Sequence, residues 1–158
     1  MTHHVHAISR PLEMTFLGLQ AFNVAFLLLH DWIPLGRLNN LTAIRSQDKL
    51  SRSVFVTLLP LVPAAICLFY SAKYFGQLYP DWVAMWLWIT YGLFFLGLLR
   101  AWWVPYLVLP DMQRAARYRI IFAGTHSFLP QRNGMAPDTL HTVFHLAIVV
   151  TLLLLFVR

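Results

Sequence analysis

Four long apolar stretches, separated by connections that hold most of the charge, limit this chain more than any other feature. A helix needs roughly 20 apolar residues to cross the hydrocarbon core of a bilayer, because each residue rises only about 1.5 Å. The stretches at 14–33, 54–76, 82–104 and 140–157 meet or approach that length. Backbone groups in hydrocarbon have no water to bond, so such segments must satisfy themselves as helices. The expected fold class is therefore all-α: an integral membrane four-helix transmembrane bundle with a short cytoplasmic interfacial helix. Composition agrees, with 59% hydrophobic and 11% charged residues, against about a quarter charged in soluble proteins. No internal repeat or low-complexity linker divides the chain, which reads as a single transmembrane domain over 1–158.

The first stretch carries Glu13, Gln20 and Asn23 and no small-residue cleavage pattern, so it reads as a retained span rather than a signal peptide. Basic residues then set the orientation. Arg37, Arg45, Lys49 and Arg52 lie between the first two spans, and Arg114, Arg117, Arg119 and Arg132 between the last two. The opposite side has Arg10, Lys73 and Arg158. This asymmetry predicts cytoplasmic basic loops and extracytoplasmic termini, as in a bacterial inner membrane.

The formal charge of +6 is dispersed between apolar runs rather than gathered in one stripe, so nucleic acid is not an expected partner. The lipid bilayer is, and four spans also leave room for a homo-oligomer or a partner membrane protein. Cys67 is the only cysteine, which removes a disulfide framework and a paired-thiol metal site. Residues 111–124 place Arg114, Arg117 and Tyr118 on one side of a helix suited to the anionic inner leaflet. Trp102, Trp103 and Tyr106 would form an aromatic belt at that level.

Polar residues inside a span usually face the bundle or a wet cavity. Glu13, Gln20, Asn23 and His30 fall near one face of the first span, and Ser53, Thr57, Pro60, Cys67 and Ser71 form a similar stripe on the second. Such stripes serve as helix-to-helix hydrogen bonding or line a ligand or ion cavity. Pro60 and Pro63 each remove a backbone donor and should kink the second span. Arg100 can snorkel to the interface, pair with Asp31, or hold the head group of an anionic, lipid-like ligand.

The sharpest chemical signal is histidine spacing. His141 and His145 stand four apart at the start of the last span, so their rings project from one helical face. Two imidazoles so placed can share a metal, and His126, in the preceding loop, would supply a third nitrogen. Three nitrogens and one open position suit zinc or iron activating water, with Asp138 or Asp31 as general base or orienting partner. The pair resembles the H-x-x-x-H of the intramembrane zinc amidohydrolases related to alkaline ceramidases. That resemblance covers His141 and His145 alone and implies hydrolysis of a lipid-like substrate.

Haem is an alternative, with His30 facing His141 or His145 across the macrocycle. In a third reading Asp138 is only the helix N-cap and the histidines are structural, as in a non-enzymatic membrane subunit or a ligand-binding or transport bundle. Separately, His3, His4 and His6 form a tract that can bind metal adventitiously.

Overall fold

The structure is a computed structural model that describes residues 9–158, so the His3, His4 and His6 tract lies outside the described residues. Among the described residues seven α-helices form: α1 Arg10–Leu29, α2 Leu41–Gln47, α3 Leu50–Lys73, α4 Asp81–Leu98, α5 Val104–Leu107, α6 Met112–Ile121 and α7 Thr139–Phe156. A π-helical turn, Leu99–Trp103, joins α4 to α5, making one 27-residue rod from Asp81 to Leu107. That rod, α1, α3 and α7 are each long and apolar enough to cross a membrane.

Boundaries follow local chemistry. α1 starts four residues before the expected span because Pro11, with φ already fixed, occupies its first turn. It stops at Leu29 because the Asn39 amide takes over the carbonyls beyond: its Nδ2 donates to the oxygens of His30 (2.6 Å) and Ile33 (2.8 Å). The Asn39 Oδ1 also accepts from the Leu35 amide at 2.8 Å, folding residues 30–39 back. α3 runs through both Pro60 and Pro63 without ending. α2, which the sequence pattern did not suggest, is nucleated by Asn40, whose side chain accepts from the Ala43 amide.

Consecutive long helices are neighbours, and α7 closes the ring against α1, giving an up-and-down bundle. Contacts at the two ends show the directions. At one end Glu13 of α1 meets Arg158 (2.7 Å) and the amide of Gly76 (2.9 Å). At the other, His30 just past α1 meets His141 in α7. The core is one apolar cluster around Phe16, Val83, Leu87, Tyr91 and Ile148, with Phe26, Leu27 and Ala64 as a second group. Large apolar side chains cover the outside, among them Phe55, Leu59, Phe69, Leu93 and Leu153.

Both basic connections fold over the same end. α2 packs on α6, Arg117 binds Asp48 at 2.6 Å, and Asn40 donates to the Ala123 carbonyl at 2.8 Å. Arg114 is held by Asp111 and reaches the Ala101 carbonyl. The side of α6 that the sequence offers as a free basic face is thus engaged within the chain. A tight turn follows, in which Asn133 (φ 51) and Gly134 (φ 74) take left-handed conformations and Arg132 and Met135 exchange both backbone bonds. It drives Met135 under α6, against Trp102, Tyr106 and Ala115.

Gly134 is the sensitive point of this cap: its φ is positive, and an added Cβ would sit 3.3 Å from that of Ala115. We expect Gly134→Ala to destabilise the protein by about 1–2 kcal/mol, read as a lowered melting temperature in detergent. An unchanged melting temperature would show that the cap does not depend on this turn.

Candidate functional site

The basic end gathers three histidines and three aromatic residues from four elements. Phe26 and His30 come from α1 and its end, Trp102 from the π turn, Phe122 from the end of α6, and His141 and His145 from α7. Each is delivered by simple spacing. His30 follows Phe26 by one helical turn and stacks on it at 4.3 Å, and His145 follows His141 likewise, with ring centroids 6.2 Å apart. The π turn contains one residue more than an α-helix would, so Trp102 turns inward while Trp103 faces a groove beside His145. Trp102 is therefore buried under the histidines, not part of an outward aromatic belt.

His141 is the most constrained ring. Its Nδ1 donates to Asp138 Oδ2 at 2.7 Å, while its backbone amide donates to Asp138 Oδ1 at 2.9 Å. Asp138 caps α7 and is 1% exposed. Burial acts to raise the Asp138 carboxyl, but the hydrogen bond and charge of His141 and the amides of Leu140 and His141 outweigh it and hold it below its ordinary range. In the neutral form of this ring the Nδ1 proton is committed to Asp138 and Nε2 carries the lone pair. Trp102 (4.9 Å), Phe122 (5.2 Å), His30 (5.4 Å) and Phe26 (5.5 Å) surround that ring.

His30 forms a second histidine–carboxylate pair. Its Nδ1 donates to the Phe26 carbonyl at 2.8 Å, and its Nε2 lies 3.2 Å from Asp31 Oδ2. Because Nδ1 already carries a proton, that second contact needs another, on Nε2 or on the carboxylate. His145 differs again: it is buried, and its Nδ1 has no hydrogen-bond partner among the described residues. It lines a groove of about 520 Å³ between the α4–α5 rod and α7, together with Phe95, Leu99, Trp103, Phe128 and Leu146.

The structure brings His30, His141 and His145 together with Asp31 and Asp138, and it does not bring in His126. That ring is exposed and bonded to Thr139 Oγ1 at 2.7 Å, while its backbone ties the loop to Arg37 and Thr139. Among the described residues, no three His, Cys, Asp or Glu side chains are placed to share one metal ion. His30 and His141 meet edge to face at 84°, not facing each other across an open slot as axial haem ligands would. Arg100 is exposed and forms no ion pair among the described residues, since Asp31 is engaged by His30. The aromatic cage of Phe26, Trp102 and Phe122 escaped the sequence reading; only the i, i+4 spacing of Phe26 and His30 hinted at it.

The Asp138–His141 pair makes a pH-dependent prediction. A carboxyl held low in the fold stabilises it above the ordinary carboxylate range and stops doing so as pH falls through its lowered value. We expect Asp138→Asn to flatten that acid-side loss of melting temperature and to cost about 1–3 kcal/mol at neutral pH. The new amide would donate to Nδ1 and so move the His141 proton to Nε2, which ring ¹⁵N chemical shifts would register. Unchanged shifts would mean that Asp138 does not set the tautomer.

No protein family, curated protein or solved structure matches the chain.

Proposed function

We propose that this is a membrane-embedded protein that handles an anionic, lipid-like molecule, with His141 and His145 exchanging a proton with its polar end. The observation that carries the reading is the wall of the apolar groove. There His145, with an unpartnered ring nitrogen, stands one turn from a histidine held in a fixed tautomer by a buried carboxylate. Orienting an imidazole in this way is how proteins prepare a general acid or base. The groove supplies an acyl-chain surface, and exposed Arg100, next along the helix from Leu99 on its wall, supplies a charge for the head group.

In this reading the four long helices cross the bilayer, the basic end faces the cytoplasm of a bacterial inner membrane, and α6 lies at that interface. Support comes from their length and hydropathy and from the seven Lys and Arg in the two connections that meet there, with Arg52 in the first turn of α3. Zinc or iron chemistry at His126, His141 and His145 requires His126 to leave Thr139.

The test uses protein labelled with ¹⁵N-histidine in lipid nanodiscs, titrated with a single-chain phosphomonoester amphiphile and, separately, with its phosphocholine counterpart. We expect the anionic amphiphile to shift the His141 and His145 ring signals saturably, with affinity reduced about tenfold by Arg100→Gln, the worth of one charge-assisted contact. Equal responses to both amphiphiles, or none, would overturn the reading. So would about one metal ion per chain by elemental analysis that disappears in the His141→Ala, His145→Ala variant; that result would replace it with metal-activated hydrolysis.

A further inference from the structure

A second polar system runs down the centre of the bundle, away from the histidine groove. On α1, Glu13, Gln20 and Asn23 are buried and His30 continues the same seam. From Glu13 to His30 the helix rises about 26 Å, close to the roughly 30 Å of a hydrocarbon core. At one end Glu13 binds Arg158, whose guanidinium lies 3.3 Å over the Tyr79 ring. The Tyr79 hydroxyl has Ser71 and Arg158 as neighbours. Ser71 and Gln20 then exchange two contacts, at 2.9 and 3.3 Å. One turn further, Asn23 donates to Thr151 at 3.3 Å, and the Tyr91 hydroxyl lies beside Asn23 and Cys67. Beyond this layer Phe26 stacks on Phe144 at 4.1 Å and 5°, and the histidine–carboxylate pairs begin.

Six buried polar side-chain atoms lack a hydrogen-bond partner among the described residues. Four belong to this axis, Arg158 Nη1, the Tyr79 hydroxyl, Asn23 Oδ1 and the Tyr91 hydroxyl, and a fifth, His145 Nδ1, belongs to the histidine site beyond it. An orphaned buried polar atom is costly, and four along one axis is not the pattern of polar groups that only hold helices together. Helix-binding groups are satisfied by each other, as Gln20 and Ser71 are. Groups left open along an axis can each take up and pass on a hydrogen bond, through a transient internal water where the spacing requires it.

We propose that this column conducts protons through the bundle between the Glu13 end and the Asp138–His141 end, with the Phe26–Phe144 stack as its closed barrier. Each hop delivers a proton to a lone pair of a hydroxyl, an imidazole or a transient water, which releases another onward, while the Arg158 guanidinium, with no lone pair to offer, only orients its neighbours; no bond other than O–H or N–H changes and no redox partner is needed. The stack is a dry layer between two polar compartments, and proton passage requires it to part and admit water. This inference shares only its His141 end with the amphiphile reading, because none of the residues from Glu13 to Tyr91 lines the groove.

Purified full-length protein in vesicles loaded with a pH-sensitive dye, driven by a potassium diffusion potential, tests it. We expect Phe144→Ala to acidify or alkalinise the lumen faster than wild type, and wild type faster than protein-free vesicles. Tyr91→Phe and Asn23→Leu, each introduced into the Phe144→Ala background, should return the rate to the protein-free level. Tyr91→Phe removes one hydroxyl without changing the packing of the ring, so it remains informative where Asn23→Leu impairs folding. Rates equal to protein-free vesicles for both wild type and Phe144→Ala overturn the proposal, as does flux that persists undiminished in Tyr91→Phe.

Discussion

An amide or carboxylate in an apolar environment that is not hydrogen-bonded loses several kcal/mol of hydration, and α1 carries such groups on one seam over almost its whole length. They cannot be turned outward, so the other helices must bring partners to them. α3 supplies Ser71 for Gln20, α7 supplies Thr151 for Asn23, Arg158 just past the end of α7 binds Glu13, and the start of α4 packs where Tyr79 lies against Arg158. Those demands fix which helix faces meet, and the apolar contacts of Phe16, Leu87 and Ile148 fill the space between. Apolar packing alone would discriminate poorly among rotations of helices as uniformly apolar as α4 and α7; directional bonds at three depths specify one.

The same logic explains why much of the architecture was readable from the sequence. Length and hydropathy located the four long helices within a few residues, and a spacing of seven, three and seven identified the buried side of α1. What could not be read was set by side chains that act far from their own position. Asn39 closes α1 through carbonyls six and nine residues before it, which hydropathy does not report. The engagement of Arg114 and Arg117 depends on Asp48, 69 residues from Arg117, and on a carbonyl freed near the π turn. At the site, helical spacing paired His141 with His145 correctly. Only the three-dimensional path of the loop decides that His126 bonds to Thr139 and that His30 joins the other two.

The two histidine–carboxylate pairs are chemically unlike despite their proximity. Asp138 is buried and receives a backbone amide as well as a ring N–H, so it is fully engaged as an acceptor. Asp31 is more exposed and shares a contact that requires one extra proton. One pair orients its ring through Nδ1, and the other meets its carboxylate through Nε2 while Nδ1 is bonded to a backbone carbonyl. The two rings lie 5.4 Å apart and meet edge to face, so the two pairs share one end of the bundle.

The π turn at Leu99–Trp103 has a consequence for how the two ends of the molecule can vary. One extra residue in a helix advances everything after it by about 100°. Upstream of the turn, α4 presents Val83, Leu87 and Tyr91 to the bundle; downstream, Trp102, Pro105 and Tyr106 are the buried positions. The rod is therefore out of phase with itself across that turn, its lower half keyed to the bundle interior and its upper half to the cap formed by α6 and Met135. A one-residue deletion there would leave the hydropathy profile almost untouched and preserve a continuous helix, yet it would put two correctly built halves in mutually incompatible registers.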